Sequence, residues 1–250
     1  MNKNEIPIVI LAGGNKVEFP NQGLIPKALI KINEVPAIFL IIKHYYDSGF
    51  LKFLIASGSG TDVIANALPL LKLYLGEKIY SEIQIQIIFT GGITETGSRI
   101  YQLREKLEPY EIFGISYCDT ISDIDIQKLL SLHIDSKAIV SLAAVRIPTR
   151  FKVLGLIDSD NIVKGFTDKP IIEKSYVNGG FYFASSKIFD LKYDKYNTSF
   201  ESDILPQIIS KNKLYSYRHD GFWQYVDSIR DVWTIEKFLK NDKLKWILLF

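Results

Sequence analysis

The sequence has little that would cross-link it, anchor it in a membrane or attract nucleic acid. Its 250 residues include one cysteine, Cys118, which excludes an intrachain disulfide and a cysteine-built zinc site and is typical of a reducing compartment. The longest apolar runs, such as residues 37–42 and 246–250, are far shorter than the roughly 20 residues of a membrane-spanning helix. Residues 1–5 show no signal peptide. We therefore expect a cytoplasmic protein with no membrane partner.

A strong charge of one sign is also lacking. The 30 Lys and Arg residues are balanced by 28 Asp and Glu residues, which leaves a formal net charge of +2. We therefore expect no nucleic-acid partner, and an anionic ligand would need a local site. The three histidines show no metal-ligand spacing. The length suits one well-packed domain, to which we assign residues 1–250.

Two hydrophobic periods alternate along the first half of the chain. Strands are predicted at residues 6–11, 53–56, 83–87 and 112–117, and helices after Pro36, over residues 62–75 with a kink near Pro69, and over residues 100–107. Such alternation is the pattern of βα units on a parallel sheet. The first half therefore predicts an α/β fold with helices flanking that sheet.

The second half contains more strand-like segments. Strands are predicted at residues 138–145, 153–157, 162–167, 176–185 and 214–217, with a hairpin turn at residues 158–161, and helices at about residues 201–211 and 228–241. A pair of glycines, Gly179 and Gly180, inside one strand is typical of a β-bulge or of close backbone approach. We expect a mixed, mostly parallel central sheet with a smaller β-rich part on this side.

Glycines and polar residues follow the predicted parallel strands. Gly13 and Gly14 follow the first strand, SGSG at residues 57–60 the second, TGGITETGSR at residues 90–99 the third, and Asp119 the fourth. The carboxyl ends of parallel strands meet at one edge of a sheet, where open α/β sheets bind their ligands. Chain reversal would explain each turn alone, but their coincidence at one edge predicts a ligand cleft.

Seven segments resemble, in the same order, those of a known enzyme family. They are ILAGG…PKALIKI from residue 10, TGGITETGSRI from residue 90, YCDTISDIDI from residue 117, RFKVLGLI from residue 150, FTDKP from residue 166, VNGGFYF from residue 177 and GFWQYVDSIRD from residue 221. Together they resemble the sugar-phosphate nucleotidyltransferases, above all the cytidylyltransferases among them. The resemblance implies a Rossmann-like (GT-A-like) fold, with a nucleotide-binding half at about residues 1–135 and an acceptor-binding half at about residues 136–250.

The resemblance also implies an activity. A nucleotidyl group would pass from a nucleoside triphosphate, with CTP expected, to a sugar 1-phosphate or another small phosphorylated metabolite, and pyrophosphate would leave. The attacking phosphate oxygen is already ionised at neutral pH, so the chemistry needs no protein nucleophile. It needs Mg²⁺, cationic side chains and backbone N–H groups instead, because two anions must meet in line and negative charge must be stabilised.

Two aspartates match the metal ligands of the family. They are Asp119 and Asp227, and carboxylate oxygens are the ligands that Mg²⁺ prefers. The simpler alternatives are a turn aspartate at Asp119 and, at Asp227, an N-cap of a helix that begins near Ser228. A cap and a ligand are not exclusive. The resemblance therefore predicts a Mg²⁺ site and a catalytic role for both aspartates.

Further residues receive roles from the resemblance. Lys27 matches the triphosphate-binding lysine and Lys169 a lysine that faces the sugar phosphate, and both are assigned as catalytic. The nucleotide-binding set is Leu11, Ala12, Gly13, Gly14, Asn15, Lys16, Thr94, Arg99 and Cys118. The substrate-binding set is Arg150, Lys169, Asn178, Gly179, Gly180 and Trp223. A salt bridge would equally explain Arg150, a β-bulge the NGG segment, and core packing Trp223.

One segment departs from the family pattern. The family continues its glycine pair into a Gly-Thr-Arg segment whose arginine grips the triphosphate, whereas this chain continues with Asn15, Lys16, Val17 and Glu18. Counted directly from the glycines, Glu18 replaces the arginine and would repel a triphosphate. If the shortened loop follows another path, Lys16 could supply the missing charge.

Three functions therefore remain open. The first is an active Mg²⁺-dependent nucleotidyltransferase, and the second is a catalytically impaired homologue that binds a nucleotide or sugar nucleotide in a regulatory role. The third is a nucleotide-sugar glycosyltransferase, for which residues 123–125 have the Asp-any-Asp metal spacing but fall at a predicted helix start. Apolar edge elements also leave a homo-oligomer open.

Overall fold

The computed structural model describes residues 2–20, 22–146 and 176–240, and the backbone of residues 153–154 and 166–167. The strands are β1 (Pro7–Ala12), β2 (Lys16–Phe19), β3 (Gly23–Pro26), β4 (Lys31–Ile32), β5 (Val35–Pro36), β6 (Lys52–Ser57), β7 (Gln84–Phe89), β8 (Ile112–Tyr117), β9 (Thr120–Ser122), β10 (Val140–Val145), β11 (Val153–Leu154), β12 (Phe166–Thr167), β13 (Val177–Ser185), β14 (Leu214–His219) and β15 (Trp223–Tyr225). The α-helices are α1 (Ala37–Asp47), α2 (Thr61–Ala67), α3 (Leu71–Glu82), α4 (Thr96–Gln102), α5 (Arg104–Leu107), α6 (Ile126–Ser136), α7 (Leu205–Ile209) and α8 (Ile229–Lys240).

Seven strands form the central sheet, in the order β14-β10-β13-β8-β1-β6-β7. Neighbouring strands are parallel except where β13 pairs with β8 and with β10. β13 therefore joins the four parallel strands of the first half to the two of the second half. The predicted α/β fold with a mixed, mostly parallel sheet is confirmed.

Helices cover both faces of the sheet, which explains the unbroken apolar run of β1. All six of its residues are buried. Ile8 and Ile10 belong to the core that contains α1 and α6, whereas Val9 and Leu11 belong to the core that contains α4 and α7. Successive strand residues face opposite sides, so a central parallel strand needs an apolar residue at every position.

Most predicted elements lie close to their predicted positions. The kink near Pro69 is confirmed, because the 3₁₀ turn Leu68–Leu70 separates α2 from α3. β11 pairs antiparallel with β12, which confirms the predicted hairpin, although its turn at residues 158–161 lies outside the described residues. The helix predicted at residues 201–211 is shorter, because Phe200–Ile204 forms a π-helical turn before α7.

Periodicity did not predict the β2–β3 hairpin or the antiparallel pair of β9 and β15.

α6 begins at the predicted helix start, where the Asp125 carboxylate accepts a hydrogen bond from the backbone N–H of Lys128 at 3.0 Å. Asp125 is therefore the N-cap of α6, as the predicted helix start implies. Among the described residues, none of the helices combines the length and apolarity that crossing a membrane requires.

His133 of α6 is a buried titratable group remote from the sheet edge that carries the glycines. Its side chain is almost fully enclosed, with Nδ1 3.1 Å from the Ser141 hydroxyl and the ring 6.4 Å from that of Phe183. Burial lowers the pKa of His133 to about 4, because the apolar surroundings disfavour the imidazolium.

This pKa predicts a loss of stability in acid. A histidine with a lowered pKa in the folded state contributes its full stability above the unfolded value of about 6.5 and loses it as the pH falls toward 4. Between pH 7 and pH 4, we expect the wild type to lose about 2–3 kcal/mol of unfolding free energy more than His133→Gln, as measured by urea denaturation. Parallel pH profiles of the two proteins would contradict the assignment.

Candidate active site

The carboxyl edge of the parallel strands carries a cleft of about 420 Å³. It is lined by Leu11, Ala12, Gly13, Gly14, Asn15, Val17, Lys27, Thr94, Glu95, Thr96, Arg99, Tyr117, Cys118 and Asp119. The segments that follow β1, β7 and β8 therefore meet at one edge, as the strand order requires. The segment after β6 lies behind them, and a side chain at Gly58 would collide with the backbone of Gly13 and lie 3.0 Å from the Gly91 carbonyl.

Lys27 is the cationic centre of this edge. It opens the 3₁₀ turn that follows β3, and its Nζ lies 2.6 Å from Asp227 Oδ1 and 3.8 Å from Asp119 Oδ2. The same Nζ donates a hydrogen bond of 2.7 Å to the Tyr225 hydroxyl. Residues from three distant parts of the chain thus meet at one ammonium group, and both predicted metal aspartates are among them.

The pKa values follow from this arrangement. Burial by itself lowers the pKa of Lys27, but the hydrogen bonds to Asp227 and Tyr225 outweigh it, so the pKa lies above its ordinary value and the ammonium stays charged. Burial raises the pKa of Asp119 to about 6, against the attraction of Lys27. At neutral pH the site therefore holds one positive charge between two carboxylates.

The donor set fits a divalent metal ion. Asp119 is mostly enclosed and Asp227 is half exposed, with 13% and 48% of their side chains accessible, and both carboxylates already attract the same cation. Within the described ranges, no three His, Cys, Asp or Glu side chains gather in a way that could hold a metal. Two carboxylates, completed by phosphate oxygens of a substrate and by water, are a usual set for Mg²⁺.

Asp231 fixes the backbone that presents Asp227. Its Oδ2 accepts hydrogen bonds from the backbone N–H groups of Asp227 and Ser228, at 3.2 and 3.0 Å, and from the Ser228 hydroxyl at 2.7 Å. Gln224 donates to the other oxygen at 3.1 Å. The bond from the Ser228 backbone N–H to Asp231 is one half of a capping box at the start of α8. Since Asp231 takes this role, the Asp227 carboxylate can face Lys27.

Arg99 connects the ends of three parallel strands through hydrogen bonds. Its guanidinium donates to the carbonyls of Gly13 at 2.7 Å, Gly91 at 2.8 Å and Ser57 at 3.3 Å, and to the Thr90 hydroxyl at 2.8 Å. A Cβ atom at Gly13 would collide with that guanidinium. Burial lowers the pKa of Arg99, although not enough to discharge an arginine. The residue predicted to bind nucleotide thus lines the cleft while most of its donors hold the cleft floor.

The NGG segment forms a bulge beside this cleft. The register between β13 and β10 shifts between Leu142 and Ala144, and Gly180 has a φ of +78°. A side chain at Gly180 would lie 2.9 Å from the Tyr117 ring, and one at Gly179 would lie 3.0 Å from the Ala143 carbonyl. The bulge alternative is confirmed, and neighbouring protein atoms account for both glycines.

Trp223 fastens the closing segment to this bulge. Its indole N–H donates a hydrogen bond of 2.8 Å to the Gly179 carbonyl, and its ring packs against the core beside α1. β15 also pairs with β9, next to Asp119, which brings the substrate-side segments and the predicted metal site together. The predicted substrate-side residues Arg150 and Lys169 lie outside the described residues.

The segment after Gly14, which departs from the family pattern, forms the β2–β3 hairpin. β2 pairs with β3, with Val17 opposite Ile25 and Phe19 opposite Gly23. Val17 lines the cleft and Phe19 is buried. Because strand residues alternate, Lys16 and Glu18 belong to the other face of the hairpin, and neither lines the cleft.

Cys118 and Thr94 complete the predicted nucleotide-binding set in the cleft wall. Burial raises the pKa of the Cys118 thiol well above its usual range, so the residue is a small enclosed side chain and not a thiolate. The Thr94 hydroxyl is buried and has no hydrogen-bond partner in the described part of the chain.

Sequence reasoning left Tyr225 open between a wall of the sugar pocket and a core aromatic, and it assigned no role to Tyr117, Thr96 or Asp231. Tyr225 and Asp231 belong to the closing GFWQYVDSIRD segment, so the segment match could have indicated them. Tyr117 immediately precedes Cys118 at the end of β8, and Thr96 begins α4 in the predicted cleft segment. Their roles depend on partners that are distant in the sequence.

The fold and this edge define a class of protein. A mostly parallel sheet carries, at its carboxyl edge, a glycine-lined cleft that ends in a lysine and two aspartates, which is the equipment of an α/β protein that handles phosphate groups. The chain belongs to the nucleotidyl transferase family, which matches residues 9–242. The chain is therefore an enzyme of the nucleotidyltransferase type, and the resemblance read from its sequence is confirmed.

Individual relatives extend this match over nearly the whole chain. The glucose-1-phosphate cytidylyltransferase of Salmonella typhimurium is 26% identical over 253 aligned positions, which cover 95% of this chain and 97% of that protein. A UDP-glucose pyrophosphorylase solved with UDP-glucose has a TM-score of 0.70 at 16% identity, covering 95% of this chain and 99% of that one. HddC of Yersinia pseudotuberculosis, solved with GMP-PN, has a TM-score of 0.67 at 20% identity, covering 94% and 99%. The two solved structures show a shared fold.

The Arg99 contacts predict a large loss of stability on substitution. Arg99→Met would leave three backbone carbonyls and one hydroxyl without their donor, so we expect the unfolding free energy to fall by about 2–4 kcal/mol, measured by urea denaturation. Arg104→Met is the matched control, since Arg104 at the start of α5 interacts with Glu108 and Tyr101 at the protein surface. We expect it to cost less than about 1 kcal/mol. Equal losses in both variants would refute the role of Arg99.

Proposed function

We propose that the protein transfers a cytidylyl group from CTP to a sugar 1-phosphate, in a Mg²⁺-dependent reaction that releases pyrophosphate. The observation that carries the proposal is the contact of Lys27 with both Asp119 and Asp227 at the end of a glycine-lined cleft. A cation and two carboxylates at one point suit a reaction between two phosphate groups, whose barrier is largely electrostatic. Family membership supports the reaction type.

The chemical step exchanges one phosphorus–oxygen bond for another. An oxygen of the sugar 1-phosphate attacks the α-phosphorus of the triphosphate, and the bond from that phosphorus to the α,β-bridging oxygen breaks. The products are a nucleoside diphosphate sugar and pyrophosphate, and no proton transfer from a protein base is required. The protein must bring the two anions into line and stabilise the charge of the leaving group.

The residues of the cleft divide these tasks. We assign the backbone N–H groups around Gly13 and Gly14, which line the cleft without side chains, to the phosphates. Lys27 supplies a permanent positive charge, and Asp119 and Asp227 would hold the metal. Bound Mg²⁺ supplies charge stabilisation to phosphate oxygens. The Tyr225 hydroxyl, 2.7 Å from Lys27 Nζ, keeps the ammonium in place while the carboxylates exchange partners.

The acceptor side of the proposal centres on β13. Asn178 and the glycine bulge border the metal aspartate through the β9–β15 pair, and the indole of Trp223 holds the bulge. We assign contacts with the sugar phosphate to this segment and to Lys169 and Arg150, which lie outside the described residues. The sugar itself is identified only by similarity to the cytidylyltransferase of Salmonella.

The base of the nucleoside triphosphate is assigned from sequence similarity. CTP is supported by the similarity to a cytidylyltransferase over 95% of the chain. The structurally similar proteins were solved with UDP-glucose and with GMP-PN, so this fold admits other bases. The functional test must therefore include all four nucleoside triphosphates.

A second candidate function is regulatory binding without turnover. The observation that favours it is the β2–β3 hairpin, which places Val17 in the cleft wall and puts Glu18, at the position of the family's triphosphate-binding arginine, on the other face. Such a homologue would bind a nucleotide or sugar nucleotide through the remaining glycines and Lys27. Pyrophosphate release separates the two functions.

The decisive assay measures pyrophosphate release. With Mg²⁺, we expect release from CTP and glucose 1-phosphate to exceed that from ATP, GTP or UTP, and Asp119→Asn to abolish it because one metal carboxylate is lost. Asp203→Asn, an exposed carboxylate outside the cleft, serves as the control and should retain activity. Near-normal turnover by Asp119→Asn would sink the metal assignment. Nucleotide binding without release from any pair would favour the regulatory candidate.

The two lysines near the phosphate cleft predict different losses. Lys27→Ala removes the charge that contacts both aspartates, so we expect kcat/KM for CTP to fall about 100-fold or more. Lys16→Ala should reduce it less than about threefold, because Lys16 belongs to the hairpin face opposite Val17. Steady-state kinetics of both variants measure the contrast. Equal losses would mean that Lys16 replaces the arginine of the family after all.

A further inference from the structure

Glu201 lies at the centre of a hydrogen-bond network behind the cleft. It belongs to the π-helical turn Phe200–Ile204 and is partly buried. Its Oε1 accepts hydrogen bonds from the hydroxyl groups of Tyr117 and Tyr182, the latter at 3.2 Å, and its Oε2 accepts one of 3.2 Å from Thr96. Three hydroxyl donors therefore converge on this one side chain.

One branch of this network reaches the nucleotide side. Tyr117 ends β8 and Thr96 begins α4, and both line the cleft. The Thr96 hydroxyl also accepts a hydrogen bond of 2.9 Å from the backbone N–H of Phe200. The π-helical turn is therefore attached to the wall that we assign to the nucleotide.

The other branch reaches the acceptor side. The Tyr182 hydroxyl accepts a hydrogen bond from the side-chain amide nitrogen of Asn178. The side-chain oxygen of Asn178, Oδ1, accepts one of 3.1 Å from the backbone N–H of Gly180. Tyr182 is fully buried and packs edge-on against Tyr117, with ring centroids 6.2 Å apart. The bulge of β13 is thus connected to the same carboxylate as the cleft wall.

We infer that Glu201 is a positioning residue that holds the nucleotide wall and the acceptor bulge at a fixed separation, so that the two phosphates meet in line. The inference rests on the proposed function for the identity of the two ligands. An in-line attack depends steeply on the distance and angle between the reacting atoms, so a carboxylate that contacts neither substrate can control the rate. Binding of one ligand would also order the site for the other, because the network is continuous.

The tyrosines keep the network in one protonation state. Burial raises the pKa of Tyr117 and of Tyr182 above the usual range, and the neighbouring Glu201 charge raises both further. Both phenols therefore remain hydrogen-bond donors throughout the neutral range. A neutral glutamine at position 201 can keep an acceptor for the tyrosines, but its amide nitrogen cannot accept from Thr96.

The test compares Glu201→Gln with Asp203→Asn in the full chain. Asp203 lies two residues further along the same turn, and its carboxylate accepts a hydrogen bond of 2.7 Å from the Ser199 backbone without reaching either wall. Each variant would be assayed for kcat and KM with CTP and glucose 1-phosphate. The affinity for α,β-methylene CTP would be measured with and without glucose 1-phosphate, and thermal unfolding would monitor the folded fraction.

We expect Glu201→Gln to lower kcat about 10- to 100-fold while each KM changes less than about threefold, since alignment is lost and not binding. In the wild type, glucose 1-phosphate should tighten analogue binding about fivefold or more, and in Glu201→Gln this coupling should vanish. Asp203→Asn should keep both kcat and coupling.

Other outcomes separate this inference from the proposed function. If the wild type is active and Glu201→Gln retains its kcat and coupling, the positioning role is wrong. The same conclusion follows if both variants lose activity in proportion to their folded fraction. If the wild type releases no pyrophosphate from any pair, yet coupled binding disappears in Glu201→Gln, the proposed transfer fails and the role of Glu201 stands.

Discussion

The buried guanidinium of Arg99 is the contact on which the cleft depends. Three strands of a parallel sheet end at the same edge, and their carbonyl groups would face one another there without a donor. Arg99 donates hydrogen bonds to the carbonyl groups of Gly13, Ser57 and Gly91. These bonds fix the segments at the ends of β1, β6 and β7 relative to one another. Unpaired buried carbonyls would each cost about 1–3 kcal/mol, so this single side chain stabilises the geometry of the whole edge.

The two cations of the cleft have different roles: Arg99 is structural, and Lys27 is the residue proposed to contact the substrates. Arg99 lines the cleft, but most of its donors bind protein groups, so its role is to hold the cleft in shape. Lys27 has a flexible ammonium in contact with two carboxylates and a phenol, and those partners can exchange for phosphate oxygens. A lysine suits this second task because its charge is compact and its side chain can move, whereas an arginine suits the first because its fork spans several acceptors.

Local sequence patterns predicted the parts of the fold that depend on local physics. A continuous run of apolar residues predicts a buried strand such as β1. The parallel topology then places Gly13 and Asp119 at one edge of the sheet. Roles that depend on distant partners did not emerge in the same way. Lys27 and Tyr225 are 198 positions apart, and Thr96 and Glu201 are 105 apart, so nothing local to Tyr225 or Glu201 reveals the contact. The β2–β3 hairpin does not follow from the family resemblance, which aligns residues 15–18 with a phosphate loop, although Val17 and Phe19 alternate with charged residues as in a strand.

That hairpin changes the energetics of the proposed reaction more than its mechanism. The paired strand puts Val17 in the cleft wall, so the proposed phosphates would lie beside an apolar side chain, and Lys27 is the cation in contact with Asp119 and Asp227. One lost contact with a charged group is worth about 1.5–3 kcal/mol, which corresponds to roughly a ten- to hundredfold change in rate. The network around Glu201 and the cap at Asp231 hold the remaining groups in place. A cleft with less charge but retained alignment is consistent with a slower enzyme, because alignment contributes more to a reaction between two bound anions than any one cation does.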